Sequence, residues 1–209
     1  MKDIAESALT RLEAKNQARE EALQKSRRLT RLSADTIRAV HRGELEEAQG
    51  LLVQGRDLAA RLRADLTPHP DLFYTGYAQD AMKEFAEANL TYAFITNGRP
   101  PRPDELGVEI PAYLNGLGEA AGELRRHVLD LIREGKVERG EAILGVMDDI
   151  YSVLVSIDYP DALTGGLRRT TDMVRGVLEK TRGDLTIALR QNQLEQALKQ
   201  IQDQQEKKT

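Results

Sequence analysis

Apolar positions along the chain recur at helical rather than alternating spacing, and Pro and Gly cut the pattern into segments. No Pro or Gly interrupts residues 2 to about 42, where Leu23, Leu29, Leu32, Ile37 and Val40 form a stripe weighted to the C-terminal half. This predicts a long first helix, ended by Gly43. A second is expected from about 44 to 66, with Leu45, Leu51, Leu52, Leu58 and Leu62 inward, before the break at Thr67-Pro68-His69-Pro70. A third, from about 72 to 96, stops at Asn97-Gly98, a C-terminal signal.

Pro100, Pro101 and Pro103 mark residues 99–109 as irregular, and Pro111 opens a fourth helix over 112 to about 134. Its stripe is Leu114, Leu117, Ala121, Leu124, Val128 and Leu131. The fifth, about 137 to 157, turns Ile143, Val146, Ile150, Val153 and Leu154 inward. Residues 161 to about 204 read as one kinked helix or two, interrupted at Gly183. No strand pattern survives, so the expected fold is all-α, an antiparallel bundle of six to seven helices. It forms a single domain over 1–209, with a disordered tail from about 203.

Composition narrows the chemistry. Among 209 residues, 40% are hydrophobic and 31% charged, material for a helical core, while aromatics are 4% and Trp is absent. Base-stacking platforms, which need exposed Phe, Tyr or Trp, are therefore disfavoured. The net charge of −4 gives no global attraction to nucleic acid, leaving only local basic faces. The absence of Cys excludes disulfides, thiolate nucleophiles and Cys-ligated zinc. No apolar leader or membrane span is visible, so a cytoplasmic protein is expected.

Between Lys83 and Arg99 the only charged residues are Glu84 and Glu87, set among Phe85, Ala86, Ala88, Leu90, Tyr92, Ala93, Phe94 and Ile95. Three apart, they share a helix face. Two carboxylates in an apolar setting need a cation, an arginine or a proton. A rim position with an arginine partner satisfies them; so does a site for a hard divalent cation, which takes oxygen ligands. Glu119 and Glu123 also share a face, opposite the fourth helix's apolar stripe and beside Asn115 and Arg126, as a solvated face would be. Yet Gly116, Gly118, Ala120 and Gly122 surround them, as close approach of a helix or ligand would require. If the pairs converge, four carboxylates can hold Mg²⁺ or Mn²⁺ for phosphodiester cleavage. A di-iron site lacks its Glu-x-x-His motifs, with only His41, His69 and His127 in the chain.

On the first helix Arg27, Arg31, Arg38 and Arg42 fall within roughly a 60° sector with only Asp35 nearby. This is either a solvated face or a row for phosphates. Arg168, Arg175 and Arg182 interleave with Asp172 and Glu179, as in a salt-bridge ladder.

The segments Lys83-Glu84-Phe85-Ala86-Glu87-Ala88, Tyr113-Leu114-Asn115-Gly116-Leu117-Gly118-Glu119 and Gly122-Glu123-Leu124-Arg125-Arg126 resemble, in this order, those of the translin/TRAX family. His41-Arg42-Gly43-Glu44 and Gly166-Leu167-Arg168-Arg169 fit its terminal helices. The resemblance implies hollow homo-oligomers that bind single-stranded RNA or DNA, and, for TRAX-type members, Mg²⁺-dependent endoribonuclease activity. It makes Glu84, Glu87, Glu119 and Glu123 candidate catalytic and metal-binding residues. Glu119 stands where the TRAX type has an aspartate. Translin-type members bind without being the catalytic partner. Arg27, Arg31 and Arg38 are the candidate phosphate contacts. The alternative is a binding-only or scaffold oligomer whose glutamates pair with arginines.

Overall fold

The computed structural model describes residues 1–206. Among them lie nine helices and no strand: α1 (Lys2–Arg42), α2 (Leu45–Asp65), α3 (Pro70–Phe73), α4 (Gly76–Ile95), α5 (Pro103–Leu106), α6 (Ile110–Arg133), α7 (Val137–Val155), α8 (Asp161–Thr164) and α9 (Leu167–Glu206). Three are single turns, leaving six long helices. The α1–α2 hairpin turns on Gly43 at φ +76°, with the N–H groups of Gly43 and Glu44 donating to Val40 and Ala39 carbonyls. That left-handed cap is where a glycine is least costly.

Helix α6 is the centre of the bundle. It packs on α4, α7 and α9, while α4 also packs on α1 and α1 on α2. All six residues of the α6 stripe are buried. Gly116 explains the close approach to α4: a Cβ there would stand 2.6 Å from the Lys83 carbonyl oxygen and 3.1 Å from the Glu87 nitrogen. At Gly118 a Cβ would collide with the Thr170 methyl on α9. Two hydrophobic clusters result, one around α6, α7 and α9, the other around α1, α2 and α4. Helix α4 serves both, with Phe85 and Ala86 in the second and Leu90 in the first.

Four expectations need correction. The third helix is split, because Tyr74 and Thr75 separate the α3 turn from α4. The last segment is continuous through Gly183; the break falls at Gly165 and Gly166, both at positive φ. On α2 the buried face is Ala48, Gly55, Ala59 and Leu62, while Leu45 is exposed. Small residues there let α2 lie against Phe85 and Leu29, which reach within 4 Å of where a Gly55 Cβ would be. On α7 Val153 is exposed and Met147 is buried instead.

Arg175 pairs with Asp172 as expected, but Arg182 pairs with Asp148 of α7. Of the tail expected to be disordered, 203–206 continue α9 and 207–209 lie outside the described residues. No described helix is long and apolar enough to cross a membrane.

Candidate metal centre

Because Gly116 seats α6 against the Lys83–Glu87 turn of α4, Glu119, three residues on, arrives opposite Glu84 and Glu87. One carboxylate oxygen from each of the three lies within 4.8 Å of the others. Glu84 and Glu119 are partly exposed, whereas Glu87 is 8% exposed and accepts no hydrogen bond among the described residues. A carboxyl that faces two like charges with no donor of its own is costly to ionise. The counter-charge is Lys83, whose Nζ lies 2.6 Å from Glu119 Oε1 and 3.7 Å from Glu84 Oε1.

The electrostatics follow from this crowding. Burial, then the charges of Glu119, Glu84 and Glu123, push the Glu87 carboxyl up to about 8. Burial also raises Glu84, with Lys83 opposing and Glu119 adding to the rise. Burial disfavours the Lys83 charge, but its hydrogen bond to Glu119 and the surrounding acids outweigh that, and its pKa is raised. The donors are all carboxylate oxygens, the set preferred by Mg²⁺, Mn²⁺ or Ca²⁺ over softer metals. Glu84, Glu87 and Glu119 fit such an ion.

Glu123 sits one helical turn beyond Glu119 and belongs to a different arrangement. His41 Nε2, from the last turn of α1, lies 2.5 Å from its Oε2, and the His41 side chain is only 4% exposed. An ionised carboxylate only accepts, so Nε2 carries the proton. This bond, against the cost of burial, holds the Glu123 carboxyl below its ordinary value, with Arg126 contributing. His41 Nδ1 is buried without a partner, and so is His127 Nε2.

The predicted arginines are elsewhere. Arg27, Arg31 and Arg38 are exposed on α1, and Arg38 is paired with Asp35. Arg42 is paired with Glu44. Arg27 and Arg31 make no ion pair among the described residues.

The same architecture occurs in solved structures. AfC3PO superposes at a TM-score of 0.82 with 34% identity, covering 88% of this chain and 96% of that one. C3PO is the translin/TRAX complex. This chain belongs to the translin family. A second AfC3PO structure, a complex with duplex RNA, gives a TM-score of 0.81, also at 34% identity, covering 88% of this chain and 95% of that one. NeC3PO, at 24% identity and a TM-score of 0.78 over 89% of this chain and 96% of that one, shares the fold. An uncharacterized protein of Methanocaldococcus jannaschii is 32% identical over 190 residues, 90% of this chain and 84% of that protein. No family model matches the sequence.

Two residues of this site are not evident from the sequence. His41 was visible only as part of a family-like segment, because nothing in spacing ties residue 41 to residue 123. Lys83 adjoins Glu84 in the chain, yet its partner Glu119 is 36 positions away.

Proposed function

We propose that the protein binds single-stranded nucleic acid as a homo-oligomer and cleaves RNA with a divalent cation, Mg²⁺ or Mn²⁺. The carrying observation is Glu87, almost wholly buried, without a hydrogen bond, and facing two further carboxylates within 4.8 Å. Glu84, Glu87 and Glu119 would hold the ion, which would supply Lewis-acid polarisation of the phosphodiester. Glu123, fixed by His41 through Oε2, offers Oε1 to take a proton from the attacking water. His41 positions that base. Lys83 gives Glu119 a counter-charge that a bound cation would replace.

The nucleic-acid partner is supported by family membership and by the RNA complex of AfC3PO. Assembly is supported by Ile4, Leu9 and Leu12 on α1 and by Ile187, Leu194, Leu198 and Ile201 on α9, each more than half exposed. Apolar side chains of this number on overhanging helix ends suit contact between copies. Arg27 and Arg31 remain the phosphate contacts we favour, and the cysteine-free chain suits the cytoplasm.

Cleavage of single-stranded RNA with Mg²⁺ by wild type and by Glu84→Ala plus Glu87→Ala tests this reading. Loss of cleavage in the double variant is expected; activity that survives it overturns the assignment. The second reading is a binding-only oligomer with Lys83 as the resident cation, favoured by the 2.6 Å Lys83–Glu119 contact. It requires no cleavage and no thermal stabilisation by Mn²⁺, whereas an ion-binding site gives a shift that grows with concentration.

A further inference from the structure

Lys83 and Glu119 have a second neighbour besides the acid cluster. They line a cleft of ≈ 790 Å³ between α4, the start of α6 and the α8–α9 turn. That volume falls in the range that takes small ligands. The far wall is backbone pinned to α6. Asn115, 8% exposed, donates from Nδ2 to the carbonyls of Thr164 at 2.9 Å and Gly165 at 3.4 Å, and accepts from Thr170 Oγ1 at 2.6 Å. Gly165 and Gly166, at φ +61° and +84°, make this a turn without side chains. The cleft is therefore built before any ligand arrives.

Its unspent chemistry is specific. Arg169 and Asp80 are exposed and make no ion pair among the described residues, while Glu109 is met by Arg63 and Glu119 by Lys83. Tyr74 is 63% exposed, its ring set at 79° to Phe73 with centroids 5.4 Å apart. The cleft thus offers one aromatic ring, one carboxylate acceptor and one guanidinium. A phosphate set against Asp80 would be repelled. A nucleoside would not be, because its hydroxyl and amino groups donate to a carboxylate while its base lies on the ring. A phosphate set beside Arg169 would be met by its guanidinium.

The geometry points to this cleft as the seat of the nucleoside flanking the phosphodiester that Glu84, Glu87 and Glu119 act on. This rests on the nuclease reading of the acid cluster. Tyr74 carries the base, Asp80 accepts a donor from sugar or base, and Arg169 holds the neighbouring phosphate.

Steady-state cleavage of a single-stranded RNA by Tyr74→Ala plus Arg169→Ala tests it, with Ala162→Phe as a second variant whose ring fills the cleft from an exposed position on α8. Stacking of one base on one aromatic ring is worth roughly 5- to 150-fold in affinity. KM is expected to rise about tenfold or more in both variants, with kcat within about twofold and Tm unchanged, the pattern of lost uniform binding. An unchanged KM in both variants, beside a wild type that cleaves and a Glu84→Ala plus Glu87→Ala variant that does not, overturns the cleft alone. A wild type that neither binds nor cleaves RNA overturns both readings.

Discussion

In the first half of α6, Gly116 seats the helix against α4 and Glu119 joins Glu84 and Glu87. One turn later Gly122 has open space above it, and Glu123 faces α1, where His41 meets it. Two glutamates, Glu87 of α4 beside the tight half and Glu123 of α6 in the open half, are pushed in opposite directions. Glu87, crowded by like charges and without a donor, holds its proton up to about 8; Glu123, with an imidazole donor, gives its proton up below the ordinary value. Carboxyls whose surroundings drive their pKa values apart take different tasks. Here one group keeps a proton that a bound cation would displace, and the other is ionised and held by its donor.

The strongest way to break this comparison is Glu87→Gln. Because Glu87 is raised above its unfolded value of 4.5, the folded protein keeps a proton that the unfolded chain releases. Its contribution to stability is therefore lost as pH rises from about 4.5 to about 8, and is level beyond that. The loss is on the order of 4 kcal/mol in the absence of divalent cations. Urea denaturation at pH 5 and pH 8.5 in chelator should show it in wild type and not in Glu87→Gln. An equal loss in both proteins places the titration elsewhere.

Gly116→Ala attacks the tight half directly. The nearest atom is the Lys83 carbonyl oxygen, and backbone inside a packed helix cannot step aside as a flexible side chain does. Overpacking costs about 1–3 kcal/mol, and the gain in helix propensity offsets up to about 1. A net loss of about 2 kcal/mol is expected, together with disappearance of any Mn²⁺-induced rise in Tm. Retention of that rise would mean that the three carboxylates do not depend on the α4–α6 approach.

The unequal legibility of the two halves has a physical basis. Glu84 and Glu87 announce themselves because charge in an apolar helix is costly wherever the helix packs, and that is a local property of the sequence. The glycines around Glu119 gave a second local sign, and Gly116 and Gly118 do lie against α4 and α9. Wheel geometry alone, however, set Glu119 and Glu123 on a solvated face, because a wheel does not know how close the next helix comes. The His41–Glu123 bond spans 82 positions and leaves no periodic trace. Helix ends were readable at Gly43 and Asn97-Gly98, where a left-handed cap is required, and misread at Gly183, where glycine sits inside a helix supported by its neighbours.

His41→Ala tests the open half. Glu123 is held below its unfolded value, so its contribution is present above about pH 4.5 and lost as pH falls through the lowered folded value. Removing a hydrogen bond to a charged group costs about 1.5–3 kcal/mol, and here the cost should be evident at pH 6 and shrink in acid. The acid limb of the cleavage profile should move to higher pH, since Glu123 regains its proton sooner. His41→Asn, which keeps a donor, should restore part of both effects. A stability loss with no movement of the acid limb would reduce His41 to packing.

Gly122→Ala has the smallest effect and the sharpest sign. A Cβ at Gly122 would meet nothing within 4 Å, whereas at Gly116 it meets backbone. Replacing an unobstructed glycine in a helix interior gains up to about 1 kcal/mol, or about 2–4 °C in Tm for a chain of this size. The fold alone therefore gives no reason for glycine here. Gly122 lies three residues after Glu119 on α6 and next to Glu123, so under the proposed function a strand laid between those two carboxylates would pass close to it. Gly122→Leu should then keep Tm at or above that of wild type while raising KM for RNA about tenfold. If the leucine variant cleaves as wild type does, the open half of α6 is no path for substrate, and the contrast between its two halves is one of packing alone.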